Sequence, residues 1–504
     1  MTATIEPTIQ TTATFESLNP ANGDVVGVHP RTSAAEVEAA VERAHGAAEW
    51  WSALAFDERA EYLNKWKGVI TRRIAELADV LHQEMGKPHG DAQLEIVIAI
   101  DHIAWAAKHA KKVLGPKKVS PGLLMANQKA TVQYKPLGVI GVIGPWNYPV
   151  FTPIGSIAYA LAAGNAVVFK PSEYTPAVGA WLAHAFSEVC PDHPVFQVVT
   201  GLGETGAALS KSRVNKVAFT GSTATGKKIM AACAQSLTPV LIEAGGKDAL
   251  IVDEDADLKA AAEAALWGGM SNAGQTCIGT ERIYVHERVY DDFVEEIMEQ
   301  ARGLRAGEDS GAKIGPITMP SQIGIISSHI DDALAKGATA ILGGADSVGE
   351  RFVQPVILTN VPEDSSAITE ETFGPTLTIN AVKDMDDAIA RTNATRYGLA
   401  SAVFSKKHGT ELARRIRSGM TSVNSIIAFV AVPSLPFGGV GDSGFGRIHG
   451  PDGLKEFTYA KSITSQRFRS PMNLTTFNRT PKTEGKVQKL ITMMHGRKGT
   501  LPRK

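Results

Sequence analysis

The sequence predicts an α/β protein in which largely parallel sheets are covered by helices. From residue 139 onward, short β-branched runs alternate with longer alanine-rich segments, beginning with 139–143, 152–163, 165–170 and 175–189. Repeated units of this kind favour a doubly wound parallel sheet. The chain has 504 residues, 44% of them apolar, and is longer than a single hydrophobic core usually supports. We therefore expect at least two packed units.

The alternation continues through two series of elements. In the first, strands are predicted at 195–200, 216–220, 240–243 and 249–252, and helices at 204–211, 222–235 and 258–267. In the second, strands are predicted at 282–285, 338–341, 376–379 and 400–404, and helices at 289–302, 329–336, 385–392 and 411–417. Ahead of both series, long amphipathic helices are predicted at 34–51, 56–85 and 94–112. The pattern therefore predicts a helical entry followed by two α/β domains.

The overall charge offers no global attraction to polyanions. Lysine and arginine number 51, and aspartate and glutamate 52, so the net charge is −1. A chain with this balance has no field that would draw in nucleic acid or an anionic membrane. We therefore expect small-molecule or protein partners and no nucleic acid.

Cysteine usage and the N-terminal segment favour a cytoplasmic protein. Cys190, Cys233 and Cys277 are too few and too scattered for a disulfide framework or a four-ligand zinc site. Residues 1–15 are polar and threonine-rich and lack the pattern of a signal peptide. The apolar region 137–169 is interrupted by proline, glycine and asparagine, which disfavours a membrane span. Because the cysteines are not needed for a disulfide framework or a zinc site, one of the three is available for catalysis.

Two segments suggest a dinucleotide site. Residues 201–206 match the G-x-G-x-x-G pattern after a predicted strand, but no acid ends the next strand at Thr220, so a glycine-rich turn without a ligand remains an alternative. The segment 164–173 is more specific, because a buried strand delivers Lys170 and Glu173 at its carboxyl end. Both side chains can hydrogen-bond ribose hydroxyls, whereas the alternative is a surface ion pair.

A third group of residues suggests covalent catalysis. Cys277 follows the small and polar residues 272–276, which leave room for a substrate carbon to reach its sulfur. Glu243 ends an apolar strand before two glycines, a costly position for an acid unless it is paired or functional. Asn147 offers an amide donor. A nucleophile, a carboxylate base and an oxyanion donor are the minimum set for forming and hydrolysing a thioester.

Seven motifs occur in the order and approximate spacing of one known family. From about residue 15 to about residue 464 the chain resembles the aldehyde dehydrogenase superfamily. The motifs are 145–149 (Pro-Trp-Asn-Tyr-Pro), 169–173 (Phe-Lys-Pro-Ser-Glu), 219–222 (Phe-Thr-Gly-Ser), 243–247 (Glu-Ala-Gly-Gly-Lys), 274–277 (Gly-Gln-Thr-Cys), 371–375 (Glu-Thr-Phe-Gly-Pro) and 436–439 (Pro-Phe-Gly-Gly).

The resemblance implies a role for each site residue. Cys277 is expected to be the nucleophile and Glu243 the general base, with Asn147 and the Cys277 backbone N–H as oxyanion donors. Lys170 and Glu173 are expected to hold the adenosine ribose of NAD. The other residues expected at the cofactor are Pro145, Trp146, Gly221, Gly203 near the adenine, Ser222 at the pyrophosphate, Glu371 at the nicotinamide ribose and Phe373 beside the nicotinamide.

The resemblance also implies a domain division and a homodimer or homotetramer. A Rossmann-like NAD-binding domain is expected from 15–117 and 138–245, and an α/β catalytic domain from 246–450. A small β oligomerisation flap is expected from 118–137 and 455–466. NAD is the expected cofactor because the Glu173 carboxylate would repel the additional phosphate of NADP. NADP is the alternative, because the positive charge of Lys170 would offset part of that repulsion. No metal is expected.

The substrate is expected to be an apolar aliphatic or aromatic aldehyde. The candidate pocket residues are mostly apolar: Tyr148, Phe151, Thr152, Ser271, Ile278, Ile426, Ile427 and Phe429. Succinate semialdehyde is an alternative, weakly suggested by Arg282 near the nucleophile. Transfer of the acyl group to coenzyme A is a further alternative, disfavoured because Glu243 provides a base for hydrolysis. Some members carry a proton-relay glutamate directly after the Gly446-Arg447 pair, whereas Ile448-His449-Gly450 follows that pair here.

The C-terminal extension, 467–504, is strongly basic. It carries ten lysines or arginines against one acid, Glu484. Val487, Leu490, Ile491 and Met494 recur at helical spacing beside Lys486, Lys489, Arg497 and Lys498, which predicts a short cationic amphipathic helix. Packing across a subunit boundary is favoured. Peripheral contact with an anionic membrane is the alternative.

Overall fold

The computed structural model describes residues 13–309, 311–470 and 475–496. The chain divides into two units, one comprising Met1–Leu114 and Lys135–Tyr459 and the other Gly115–Tyr134 and Ala460–Lys504. The larger unit contains the two large sheets and both cavities discussed below. Within the described residues, no helix combines the length and the apolarity needed to cross a bilayer.

The N-terminal part of the larger unit is a strand pair followed by four helices. Strands β1 (Thr14–Leu18) and β2 (Val25–Pro30) pair antiparallel. The helices are α1 (Ala34–Ala53), α2 (Phe56–Arg72), α3 (Ile74–Met85) and α4 (His89–Leu114). The prediction of one helix over 56–85 was wrong, because the backbone of Arg73 (φ −112°, ψ 28°) leaves the helical region. Strands β3 (Lys117–Val119) and β4 (Gln128–Pro136) then follow.

The first large sheet contains five parallel strands in the order β9-β8-β5-β6-β7. The strand order reverses between β5 and β8, so a crevice forms where their carboxyl ends diverge. The strands are β5 (Val139–Ile143), β6 (Ala166–Lys170), β7 (Phe196–Val198), β8 (Lys216–Gly221) and β9 (Val240–Ala244). The helices are α5 (Phe151–Ala163), α6 (Pro176–Ser187), α7 (Gly203–Lys211) and α8 (Thr223–Ala234).

The second large sheet has the order β12-β13-β14-β11-β10-β15-β16, with only β12 antiparallel to its neighbour. Its strands are β10 (Asp248–Val252), β11 (Thr280–His286), β12 (Thr339–Leu342), β13 (Val356–Thr359), β14 (Thr376–Val382), β15 (Ser401–Phe404) and β16 (Ser422–Val423). The helices are α9 (Leu258–Met270), α10 (Tyr290–Ala301), α11 (Pro320–Ala335), α12 (Ser366–Thr369), α13 (Met385–Asn393) and α14 (Gly409–Arg415).

The last elements complete the first sheet and the smaller unit. Strand β17 (Gly444–Phe445) pairs antiparallel with β9 and forms an edge of the first sheet, and helix α15 (Gly450–Glu456) follows it. Strand β18 (Thr458–Gln466) joins β4 and β3 in the order β18-β4-β3. Helix α16 (Pro481–His495) lies in the predicted basic extension, whereas Arg497 and Lys498 of its predicted cationic face lie outside the described residues.

The α/β prediction was confirmed, and its physical basis is the burial of the central strands. Every residue of β5, β6 and β10 is buried, as expected for parallel strands covered by helices on both faces. The prediction at 329–336 covers only the second half of α11, which begins at Pro320. Strands β1, β2, β13, β16 and β17 are not predicted from the sequence. Whether the larger unit divides functionally at residues 245 and 246 stays a prediction.

Candidate active site

A cavity of about 820 Å³ opens at the point where the first sheet reverses its strand order. The carboxyl ends of β5, β6 and β8 and the residues that follow them form one wall. Residues that precede β14 in the second sheet form another. All nine residues expected at the cofactor line it: Pro145, Trp146, Lys170, Glu173, Gly203, Gly221, Ser222, Glu371 and Phe373.

Lys170 and Glu173 provide opposite charges in this cavity. Lys170 is 4% exposed, and its Nζ lies 3.5 Å from Oε2 of Glu173, whose side chain is 40% exposed. Burial lowers the pKa of Lys170, and the Glu173 carboxylate opposes that change. Lys211 and Lys228 also line the cavity. The pair is therefore partly buried inside the cavity, which disfavours the simple surface ion pair considered above.

The glycine-rich turn between β7 and α7 leaves open space at the cavity. A side chain at Gly203 would meet no atom within 4 Å, whereas Gly201 (φ 151°) packs closely against Thr205. Ser222 ends the neighbouring turn, and its Oγ accepts the Thr225 N–H at 3.3 Å as the N-cap of α8. These turns present backbone and small side chains to the cavity, as the fit of a bulky ligand requires.

The turn before Cys277 is constrained by its backbone and by one amide side chain. Asn272, Ala273 and Gly274 adopt φ values of 53°, 56° and 70° in succession. The Gln275 Nε2 donates to Asn272 O at 2.9 Å and to Pro316 O at 3.2 Å, and its Oε1 accepts the Thr318 N–H at 2.8 Å. The turn is therefore held in a strained conformation by buried hydrogen bonds.

Cys277 lines both the large cavity and a second, smaller one. Cys190 and Cys233 are buried and line neither, so the three cysteines differ in environment. Burial raises the pKa of the Cys277 thiol well above its usual value, and the negative charges of Glu243, Glu371 and Asp248 raise it further. The thiol therefore needs a proton acceptor or added positive charge to become a thiolate near neutral pH.

Asn147 lies beside this turn. Its Nδ2 donates to Gln275 O at 3.0 Å, and its backbone carbonyl accepts from Asn272 Nδ2 at 3.1 Å. The side chain is 5% exposed and lines the large cavity. Because a side-chain amide has two N–H donors, one remains for an oxygen atom near Cys277.

Glu243 is a buried carboxylate one residue before the end of β9; it lines neither cavity itself, whereas Thr220 and Ala244 beside it line the large one. It is 2% exposed; Oε2 accepts a hydrogen bond from Thr220 Oγ1 at 3.0 Å, and Oε1 has no hydrogen-bond partner in the described structure. Burial raises the pKa of Glu243 to about 7, although the Thr220 hydrogen bond acts in the opposite direction. A carboxyl group of this kind can exchange a proton near neutral pH.

Glu371 and Phe373 belong to the wall of the large cavity that is formed by residues preceding β14. Oε1 of Glu371 accepts the Gly246 N–H at 3.0 Å, and burial followed by the charge of Glu281 raises the pKa of Glu371 to about 8. Phe373 has φ 52° and stands edge-on to Trp146, with ring centroids 5.5 Å apart. Both residues therefore line the large cavity, as Cys277 does.

The second cavity, of about 270 Å³, is walled mainly by apolar side chains. Seven of the eight candidate pocket residues line it: Tyr148, Phe151, Thr152, Ser271, Ile278, Ile426 and Ile427. Phe429 does not; it is buried with its ring centroid 6.4 Å from that of Phe437. Arg282 lines neither cavity, because its guanidinium donates to the carbonyls of Lys247, Arg391 and Thr392.

Several residues of this region are absent from the sequence-based predictions. Lys87, just before α4, and Asp91 and Glu95, in its first two turns, line the smaller cavity. In the sequence they are only charged residues at the start of an amphipathic helix. Gln275 fixes the turn and Thr220 contacts Glu243. Both lie inside recognised motifs, yet the partners of Gln275 include Pro316 and Thr318 in the loop before α11, and the partner of Thr220 lies on the neighbouring strand β9. The sequence does not identify these contacts.

Comparison with known proteins gives a consistent result. The family model described as "Aldehyde dehydrogenase family" matches residues 8–463. A Mycolicibacterium smegmatis protein, provisionally named succinate-semialdehyde dehydrogenase [NADP(+)], is 38% identical over 87% of this chain and 86% of its own length. A Methylomonas protein named 4,4'-diapolycopene aldehyde oxidase is 34% identical over 91% of this chain and 87% of its own. The solved NAD-dependent aldehyde dehydrogenase of Sinorhizobium meliloti has a TM-score of 0.87, 33% identity and coverage of 92% of this chain and 93% of its own.

Proposed function

This chain belongs to the aldehyde dehydrogenase family, and we propose that it oxidises an apolar aldehyde to a carboxylic acid with NAD, through a thioester on Cys277. As a family member it is an oxidoreductase that acts on aldehydes. One observation carries the proposal: Cys277 lines both the large cavity with its Lys170–Glu173 pair and the small apolar cavity. A thiol in that position can meet an aldehyde on one side and a dinucleotide on the other.

In the first step the Cys277 thiol gives its proton to solvent water, its sulfur bonds to the aldehyde carbon, and the carbonyl π electrons move to the oxygen, which gives a tetrahedral oxyanion. The Asn147 amide and the Cys277 backbone N–H stabilise that oxygen. In comparable sites one such donor contributes roughly 3 kcal/mol. Bound NAD would supply the acceptor for the hydride that leaves the tetrahedral carbon, and the loss of that hydride leaves a thioester on Cys277.

Hydrolysis of the thioester requires a base. Glu243 takes a proton from water, the resulting hydroxide bonds to the thioester carbon, and the carbon–sulfur bond breaks to give the acid and Cys277. The pKa of Glu243, raised by burial to about 7, suits this step. A base at this position favours water over coenzyme A as the acyl acceptor.

The dinucleotide would be held in the large cavity by the nine residues that line it. The open space at Gly203 and the small residues after β8 fit such a group. Glu173 supports NAD over NADP, because its partly exposed carboxylate would repel a ribose phosphate. The division into cofactor and catalytic domains and a homo-oligomeric assembly belong to the same proposal.

The wall of the small cavity supports an apolar aldehyde. Lys87 is the one cation among the described residues that line it, and it is paired with Glu95. Asp91 adds a carboxylate, so a second carboxylate on the substrate would find no free positive charge. Succinate semialdehyde is the second candidate, favoured by the name of the Mycolicibacterium smegmatis relative.

A substrate series tests the proposal. We expect aldehyde-dependent formation of NADH, with a higher kcat/KM for hexanal or benzaldehyde than for succinate semialdehyde. A higher kcat/KM for succinate semialdehyde would select the second candidate. Absence of NADH and NADPH formation with every aldehyde would reject the catalytic proposal.

A further inference from the structure

We propose that Lys87 and Glu95 are positioning residues that hold Asn147 in place, a role that rests on the proposed function of Asn147 as an oxyanion donor. Neither residue lies in a motif that carries the family resemblance. Lys87 lies in the link between α3 and α4, and Glu95 lies in α4. They are 1% and 2% exposed and form a buried ion pair through Lys87 Nζ and Glu95 Oε2.

Lys87 holds the first end of the segment 147–151. Its Nζ donates to the Asn147 carbonyl at 3.0 Å and lies 3.8 Å from the centre of the Tyr148 ring. Asn272 Nδ2 donates to the same carbonyl at 3.1 Å. The Asn147 backbone is therefore fixed by two side chains. One belongs to a residue that precedes the segment in the chain, and the other to a residue that follows it.

Glu95 holds the second end of the same segment. Its Oε1 accepts the N–H groups of Val150 at 2.8 Å and Phe151 at 3.1 Å. Phe151 begins α5, and the first N–H groups of a helix have no partner inside it. The carboxylate thus caps α5 and lies at the positive end of its dipole. One buried ion pair therefore connects both ends of a five-residue segment.

The position of Asn147 determines where its amide can donate. Nδ2 donates to Gln275 O, two residues before Cys277, so a shift of the segment moves the donor away from the reacting carbon. A misplacement of about 1 Å in an active site can lower the rate roughly 100-fold. Stabilising α4 against α5 is the competing role, and that role would affect folding but not the oxyanion donor.

Two variants and one matched control separate these roles. Lys87→Met removes the charge at similar length, and Glu95→Gln keeps an oxygen for the N–H groups of Val150 and Phe151. Lys216→Met is the control, because Lys216 is also buried and paired with a glutamate, Glu456, at 2.6 Å, yet lines neither cavity.

We expect Lys87→Met to lower kcat at least about tenfold and leave the KM for NAD within about twofold, with Glu95→Gln lowering kcat less. Lys216→Met should lower Tm but not kcat.

A double-mutant cycle with Asn147→Ala gives the decisive result. In the Asn147→Ala background, Lys87→Met should lower kcat by less than about twofold, because the group it positions is already absent. Glu95→Gln replaces Lys87→Met in the cycle if the latter does not fold. Independent, multiplying effects, or an equal loss of kcat in Lys216→Met, would overturn the proposal while leaving the proposed function intact. Wild-type kcat in Asn147→Ala would instead reject the oxyanion role itself, and with it the positioning proposal.

Discussion

The Thr220 hydroxyl donates a 3.0 Å hydrogen bond to Oε2 of Glu243, while Oε1 of the same carboxylate is buried without a hydrogen-bond partner in the described structure. The register of the first sheet creates this contact, since Thr220 and Glu243 are directly paired residues of β8 and β9. One oxygen is therefore anchored and the other is available for a proton. This arrangement leads to a prediction about pH.

We predict that kcat rises with pH through about 7 and then levels off, because Glu243 must be ionised to accept a proton and burial raises its pKa to about 7. Thr220→Val should move this rise to higher pH, since the lost hydrogen bond stabilises the ionised form. Glu243→Gln should remove the rise. Steady-state rates across the pH range measure the profiles of the wild type and both variants. If kcat of Glu243→Gln still rises with pH as in the wild type, the rise belongs to another group.

Cofactor choice tests Glu173. We predict that the wild type has a higher kcat/KM with NAD than with NADP, and that Glu173→Gln changes the ratio toward NADP by roughly tenfold, since the variant removes a repulsive charge. Glu204→Gln is a suitable control, because Glu204 also acts on Lys170 but does not line the cavity. A wild type that prefers NADP would contradict the assignment.

Removal of the basic extension tests its role. In α16 the side chains of Val487 and Leu490 are half-buried and Ile491 and Met494 are exposed, so an apolar stripe is available for packing. We predict that truncation after Arg469 changes the oligomer mass by light scattering without affecting liposome binding. Lys486→Gln with Lys489→Gln should leave the mass unchanged. An intact oligomer that loses binding to anionic liposomes would favour membrane contact instead.

Replacement of the nucleophile should separate catalysis from cofactor binding. We predict that Cys277→Ala abolishes NADH formation, because no other described cysteine lines either cavity. NAD affinity, measured by calorimetry, should stay within about twofold of the wild type, since the Lys170 and Ser222 contacts are unchanged. Aldehyde oxidation by this variant would contradict the covalent mechanism.

The strands with buried residues on both faces are predictable from sequence, whereas the edge strands are not. The apolar runs of β5, β6 and β10 carry the signal of a parallel sheet in their own residues. Strands β16 and β17 have two residues each, and only their pairing partners define them. Their existence therefore depends on tertiary contacts rather than local pattern.

The same distinction applies to the site. Cys277, Glu243 and Asn147 lie in segments whose residue types alone suggest chemistry. The segment that contains Lys87 and Glu95 suggests no chemistry, because charged residues at the start of an amphipathic helix are usually solvated. Their burial results from a segment that lies 55 to 60 residues further along the chain.

The most direct test of the account is the chemical trapping of the acyl-enzyme. Glu243→Gln, mixed with hexanal and NAD, should release a burst of NADH equal to the number of active sites and then turn over slowly, because the thioester forms but is not hydrolysed. Mass spectrometry of the quenched protein should find the hexanoyl group on the peptide that contains Cys277. A burst without that adduct, an adduct on another residue, or loss of the burst together with the steady state would contradict thioester formation on Cys277 with hydrolysis by Glu243.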